Sequence, residues 1–79
     1  MTRFHPEEIE ELARLEHRRW REERLAHGWI AGDPRDDERR VHPDLVPYDE
    51  LPEQSREYNR VAALDMIPIL EDAGFAVIR

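Results

Sequence analysis

Apolar positions recur at helical spacing in two stretches of this chain, and the segment between them follows no period. In the first stretch, Ile9, Leu12, Ala13, Glu16, Trp20, Glu23 and His27 fall on one stripe at 100° per residue. Pro6 stands where proline favours a helix start, and Glu7, Glu8, Glu10 and Glu11 complement the positive end of the helix dipole. Gly28 is a terminator suited to the left-handed conformation, with Arg24 and His27 in the closing turn. These signals predict a helix over 6–27. The first half of its stripe is apolar, but the second half gathers Glu16, Trp20, Glu23 and His27, which is not the composition of a plain core face. Leu15 and Leu25 fall off the stripe, so this helix is expected to meet neighbours on more than one side.

From residue 28 to 51 neither a 3.6 nor a 2.0 period holds. Gly32, Pro34, Pro43 and Pro47 punctuate the backbone, and the mixed-charge run from Asp33 to Arg40 reads as a solvated loop. Such a long connection is uncommon in a compact domain and often functional. Trp29 is expected to pack the loop back onto the helix, and Leu45-Val46-Pro47-Tyr48 to lie across the helices as a plug or an edge strand. In the second periodic stretch, Tyr58, Val61, Ala62, Leu64, Ile67, Leu70 and Ala73 recur at spacings of three and four. Pro68 interrupts it, removing a backbone bond and crowding the carbonyl of Leu64. Two helices, 53–65 and 67–73, are therefore expected to meet at a bend, followed by an apolar tail over 75–79 able to pair as a short strand. The predicted architecture is mainly α: two main helices, a long extended or irregular connection, and a second helix bent near Pro68. It forms one domain over 1–79.

Composition narrows the function. With 79 residues the chain is about half a typical ~150-residue domain and buries a thin core. All twelve basic residues are Arg, against nineteen acidic ones, for a net charge of −7. That balance argues against binding a nucleic acid polymer, whose phosphates would repel most of the surface. The absence of Cys excludes disulfides and thiolate metal sites, and fits a cytoplasmic setting. No apolar run exceeds the length of Val61-Ala62-Ala63-Leu64, far short of the ~20 residues of a membrane span.

Catalysis finds little support in the residues. His5, His17, His27 and His42 lack the spacing of a metal site, so no metal is expected. Neither Thr2 nor Ser55 has an activating base nearby, no glycine-rich phosphate loop occurs, and no cofactor is implied. An enzyme is the weaker class. The patch around Trp20 is more informative, since His17 at i−3 and Arg24 at i+4 neighbour it along one helix edge. An indole face, an imidazole and a guanidinium suit a flat ligand bearing a phosphate or carboxylate. The same spacing equally describes a core tryptophan, a histidine bonded to a backbone carbonyl, and an arginine paired with glutamates.

The ordered set Leu12-Ala13, His17-Arg18-Arg19-Trp20, Gly28-Trp29, Gly32, Arg35-Asp36-Asp37, His42-Pro43-Asp44-Leu45-Val46-Pro47-Tyr48, Leu51-Pro52, Tyr58-Asn59-Arg60, Leu70 and Ala73-Gly74-Phe75 resembles the ryanodine receptor repeat domain, the RyR domain. The likeness runs from about Glu8 to Ile78. It implies a helical module found in tandem in animal calcium-release channels and singly in bacterial and phage proteins. In the channels two repeats pack as a pseudo-symmetric pair, and an adenine nucleotide can lie between them. Carried over to matching positions, the resemblance assigns ring contacts to Trp20, His17 and Asn59 and a phosphate contact to Arg24. It implies a non-catalytic sensor of an adenine-nucleotide-like or other nucleotide-derived ligand stacked on Trp20, acting as a homodimer and passing its state to a possible protein effector. The rival expectation is an interaction module with no small ligand, because exposed aromatic and Arg residues also serve protein interfaces. This chain departs from the family in three places. Ala31 replaces a tyrosine, Pro68 is unusual, and Asp44 stands where a channel repeat can carry a basic residue, which disfavours a highly phosphorylated ligand.

Overall fold

A computed structural model describes residues 4–77. The first helix, α1, spans Pro6–Ala26. Its start is fixed by Pro6 and by Glu8, whose carboxylate reaches back to accept the His5 backbone N–H at 2.8 Å. Its end is a Schellman turn. Gly28, at φ +85°, donates to the Leu25 carbonyl, and the Trp29 N–H donates to the Arg24 carbonyl.

The connection is less irregular than its sequence suggests. A two-residue strand β1, Ile30–Ala31, pairs in parallel with β2, Val41–His42. Val41 also forms an antiparallel bridge with Asp36, so residues 32–40 fold back as a closed, mostly exposed loop. Its charges pair locally, Arg35 with Asp37 and Arg39 with Asp36. Two residues per strand are too few to leave a period, which is why the pairing escapes sequence reading. After β2 the chain crosses the helices as the plug expected of residues 45–48, burying Leu45 and Tyr48, and makes a 3₁₀ turn at Tyr48–Glu50.

The second long helix, α2, runs unbroken over Glu53–Asp72, with Pro68 inside it. This corrects the expected division into helices 53–65 and 67–73. Pro68 lies near the C-terminal end, where only Leu64 forfeits its hydrogen-bond donor and little helix remains to be redirected. Gly74, at φ +97°, closes α2 with a second Schellman turn through Phe75 and Leu70. Residues 75–77 form no strand, and the remainder of the proposed tail, Ile78 and Arg79, lies outside the described residues.

The core is small: Ala13, Leu45, Tyr48 and Leu51, with His17 and Asn59 as its buried polar members. Glu10 pairs with Arg60 at 2.8 Å, while His17 and Trp20 share a cavity with Ser55 and Asn59, so α1 and α2 run antiparallel. The Glu10 carboxylate also accepts the Tyr48 hydroxyl at 2.5 Å. Arg60 reaches Glu53 and Glu57 as well, joining α1, the 3₁₀ turn and α2. This clamp sets the rotation of α2, turning Asn59 and Arg60 inward and leaving Tyr58, Val61 and Leu70 of the apolar series exposed. Leu15 and Leu25 are also exposed, so α1 does not bury the additional sides that they suggested. Trp29 is half-buried rather than part of the core. Among the described residues, no helix is long and apolar enough to cross a membrane.

Candidate functional site

His17 and Trp20 lie three positions apart on α1, so both project from one edge of the helix. Their rings stack with centroids 5.6 Å apart and planes inclined by 27°. The imidazole is buried, and its Nε2 donates to the Val46 carbonyl at 2.7 Å. A carbonyl only accepts, so Nε2 carries a proton and Nδ1 is the acceptor in the neutral ring. The bond to a backbone carbonyl foreseen for a purely structural histidine is therefore present. It also fixes the ring against Trp20.

From α2, Asn59 lies one turn beyond Ser55 and donates its Nδ2 to the Ser55 carbonyl at 3.0 Å. Its side-chain oxygen accepts no hydrogen bond among the described residues. The segment after β2 supplies Asp44, whose Oδ2 accepts the Ser55 hydroxyl at 2.8 Å. Together these three stretches line a half-open cavity of about 310 Å³, within the range of small-molecule sites. Its wall comprises Glu16, His17 and Trp20 from α1, Asp44 from the connection, and Gln54, Ser55, Tyr58 and Asn59 from α2.

The fold thus brings together three of the four residues singled out from the sequence: His17, Trp20 and Asn59. Arg24 lies outside the cavity wall. Its guanidinium carbon sits 5.8 Å from the centroid of Trp20 and 5.3 Å from that of Trp29, forming cation–π contacts that hold the end of α1 against the loop. His42 packs against Trp20 in a T-shaped arrangement, with ring centroids 5.0 Å apart. Burial holds its pKa below the ordinary histidine value, with Asp44 opposing. The His42 Nδ1 accepts the Asp44 backbone N–H at 3.0 Å, which places the proton of the neutral ring on Nε2.

Sequence reasoning did not assign Ser55, Gln54 and Tyr58 to this site, nor give Asp44 a contact there. No local spacing links Asp44 to Ser55; only the return of the chain across the helices does. Tyr58 carried a signal, as a large aromatic beside Asn59, but its place in the apolar series pointed to the core. The two carboxylates at the cavity differ. Both oxygens of Glu16 are taken by Arg19, at 2.7 and 3.0 Å, whereas Asp44 has no ion-pair partner among the described residues. No group of His, Asp or Glu side chains among the described residues is arranged to hold a metal ion. The family model described as the RyR domain matches residues 2–79.

Proposed function

This chain belongs to the RyR domain family, and we propose that it is a non-catalytic binding module for a flat, nucleotide-derived ligand stacked on Trp20. The observation carrying this reading is that His17, Trp20 and Asn59, separated by as much as 42 positions, converge on one cavity. The indole offers a stacking surface worth ~1–3 kcal/mol per base. The rings of His17 and His42 pack against the indole and fix its orientation. Asn59 offers an amide oxygen to a base edge. A phosphate tail fits best outside the cavity, since Glu16 and Asp44 line it and no Arg does.

Thermal unfolding against a panel of nucleobase-bearing compounds tests the proposal. A ligand at 100 times its Kd stabilises by ~2.7 kcal/mol, several degrees for a domain of this size. The shift is expected to vanish in Trp20→Ala and in Asn59→Ala, with helicity retained. A shift that survives Trp20→Ala refutes stacking at this site.

One observation favours a second reading, that of an interaction module. Tyr58, Val61, Met66, Ile69 and Leu70 of α2 are exposed, and Phe75 follows beyond the helix. Large apolar surface exposed along one helix in this way suits an interface. A second copy of the chain covering it would place its surface beside the Tyr58 edge of the cavity and form the homodimer. Sedimentation equilibrium should then give twice the chain mass, falling to the monomer mass in Met66→Glu/Ile69→Glu. A monomer at all concentrations rules out the self-pairing.

A further inference from the structure

Resting on the base-stacking reading above, we infer that the cavity selects a ring edge carrying two adjacent N–H donors, the edge of guanine, over the edge of adenine. The polar groups of its wall are weighted towards acceptors. Asp44 is a carboxylate with no cationic partner among the described residues and a single hydroxyl on Oδ2. The Asn59 side-chain oxygen accepts nothing among the described residues, while one N–H of the amide is spent on the Ser55 carbonyl. His17 spends its Nε2 proton on Val46, leaving only an acceptor nitrogen in the neutral ring. These three groups call for donors from a ligand, while the Gln54 amide and the Tyr58 hydroxyl of the same wall can each donate or accept.

Guanine presents a ring N–H beside an exocyclic amine, a parallel pair that a carboxylate accepts through both oxygens. Adenine presents one amine beside a ring nitrogen whose lone pair would face the Asp44 carboxylate. Inosine-type bases keep the ring N–H and lack the amine, so comparison of the two isolates a single hydrogen bond. The same donor pair exists in guanidinium groups without a ring, and the stack on Trp20 is what favours the base.

The test is isothermal titration of the full chain with GMP, IMP, AMP and methylguanidinium, repeated with Asp44→Asn and Trp20→Ala. GMP is expected to bind about tenfold more tightly than IMP, in the range of a good bidentate base contact. Asp44→Asn should bring the GMP-to-IMP ratio close to one. Asparagine keeps an oxygen to accept the Ser55 hydroxyl, so an unchanged melting curve shows that this variant folds. Equal affinity for GMP and IMP in the unaltered chain overturns the inference, as does a preference that survives Asp44→Asn. AMP binding tightest, with loss in Trp20→Ala, overturns the donor-pair inference and leaves base stacking standing. Methylguanidinium binding as tightly as GMP overturns the choice of a base. No binding by any of the nucleotides overturns base stacking and this inference together.

Discussion

Glu10 shows how much one side chain holds in a chain with so small a core. Its carboxylate accepts from both Arg60 and Tyr48, and these bonds, Arg60 first, hold its pKa below the ordinary glutamate value. The folded state thus binds this proton less readily than the unfolded chain. The stabilisation is present above the unfolded pKa and lost as pH falls through the folded one. Tyr48 has the opposite sign. Burial, and then the bond to Glu10, push its hydroxyl up to about 12. Its contribution is complete below the unfolded value near ~10 and is lost as pH rises from there through the folded value. Melting temperature measured against pH should fall at both ends. Glu10→Gln is expected to flatten the acid limb and Tyr48→Phe the alkaline one, and an unchanged acid limb in Glu10→Gln would refute the assignment. Arg24 illustrates what residue spacing leaves open. Its position one turn past Trp20 is equally good for a ligand phosphate or for a cation–π contact, and a second indole from the loop, Trp29, completes the latter.

At the scale of elements, α1 was legible almost to the residue, because proline, a first turn of glutamates and Gly28 mark its ends by local chemistry. α2 was legible at its ends, through Pro52 and Gly74, but not in its continuity or its facing. Pro68 costs a helix interior ~3 kcal/mol relative to alanine, yet the helix runs through it. Pro68→Ala restores a donor to the Leu64 carbonyl. It is expected to raise stability by about 1–3 kcal/mol in denaturant melts; a neutral or destabilising result would mean that the proline is compensated elsewhere. The facing of α2 depends on Arg60, which reaches carboxylates on two helices, and no periodicity of apolar residues reports such a clamp. The cavity was legible only as its α1 half plus Asn59. Asp44 and Ser55 meet because Leu45 and Tyr48 anchor the returning segment, a relation between distant positions that spacing along the chain does not encode.

For the whole molecule, the joint formed by Glu10, Tyr48 and Arg60 has a consequence for how the protein opens. Three elements share one carboxylate, so α1, the 3₁₀ turn and the first half of α2 cannot separate one at a time without breaking a hydrogen bond to it. The loop from Gly32 to Arg40 is tied instead by a few backbone bonds at its neck and by the Arg40 guanidinium, which donates to the His27 carbonyl. Backbone amides should therefore exchange with deuterated solvent in two classes. Those of mid-α1 and early α2 should share one slow rate that follows global unfolding, while those of the loop should exchange orders of magnitude sooner and ignore Glu10→Gln. Equal rates in the two classes would disprove the division. A protease working on the native protein would, by the same logic, cut first between Gly32 and Arg40 and leave the two helices held together by Glu10.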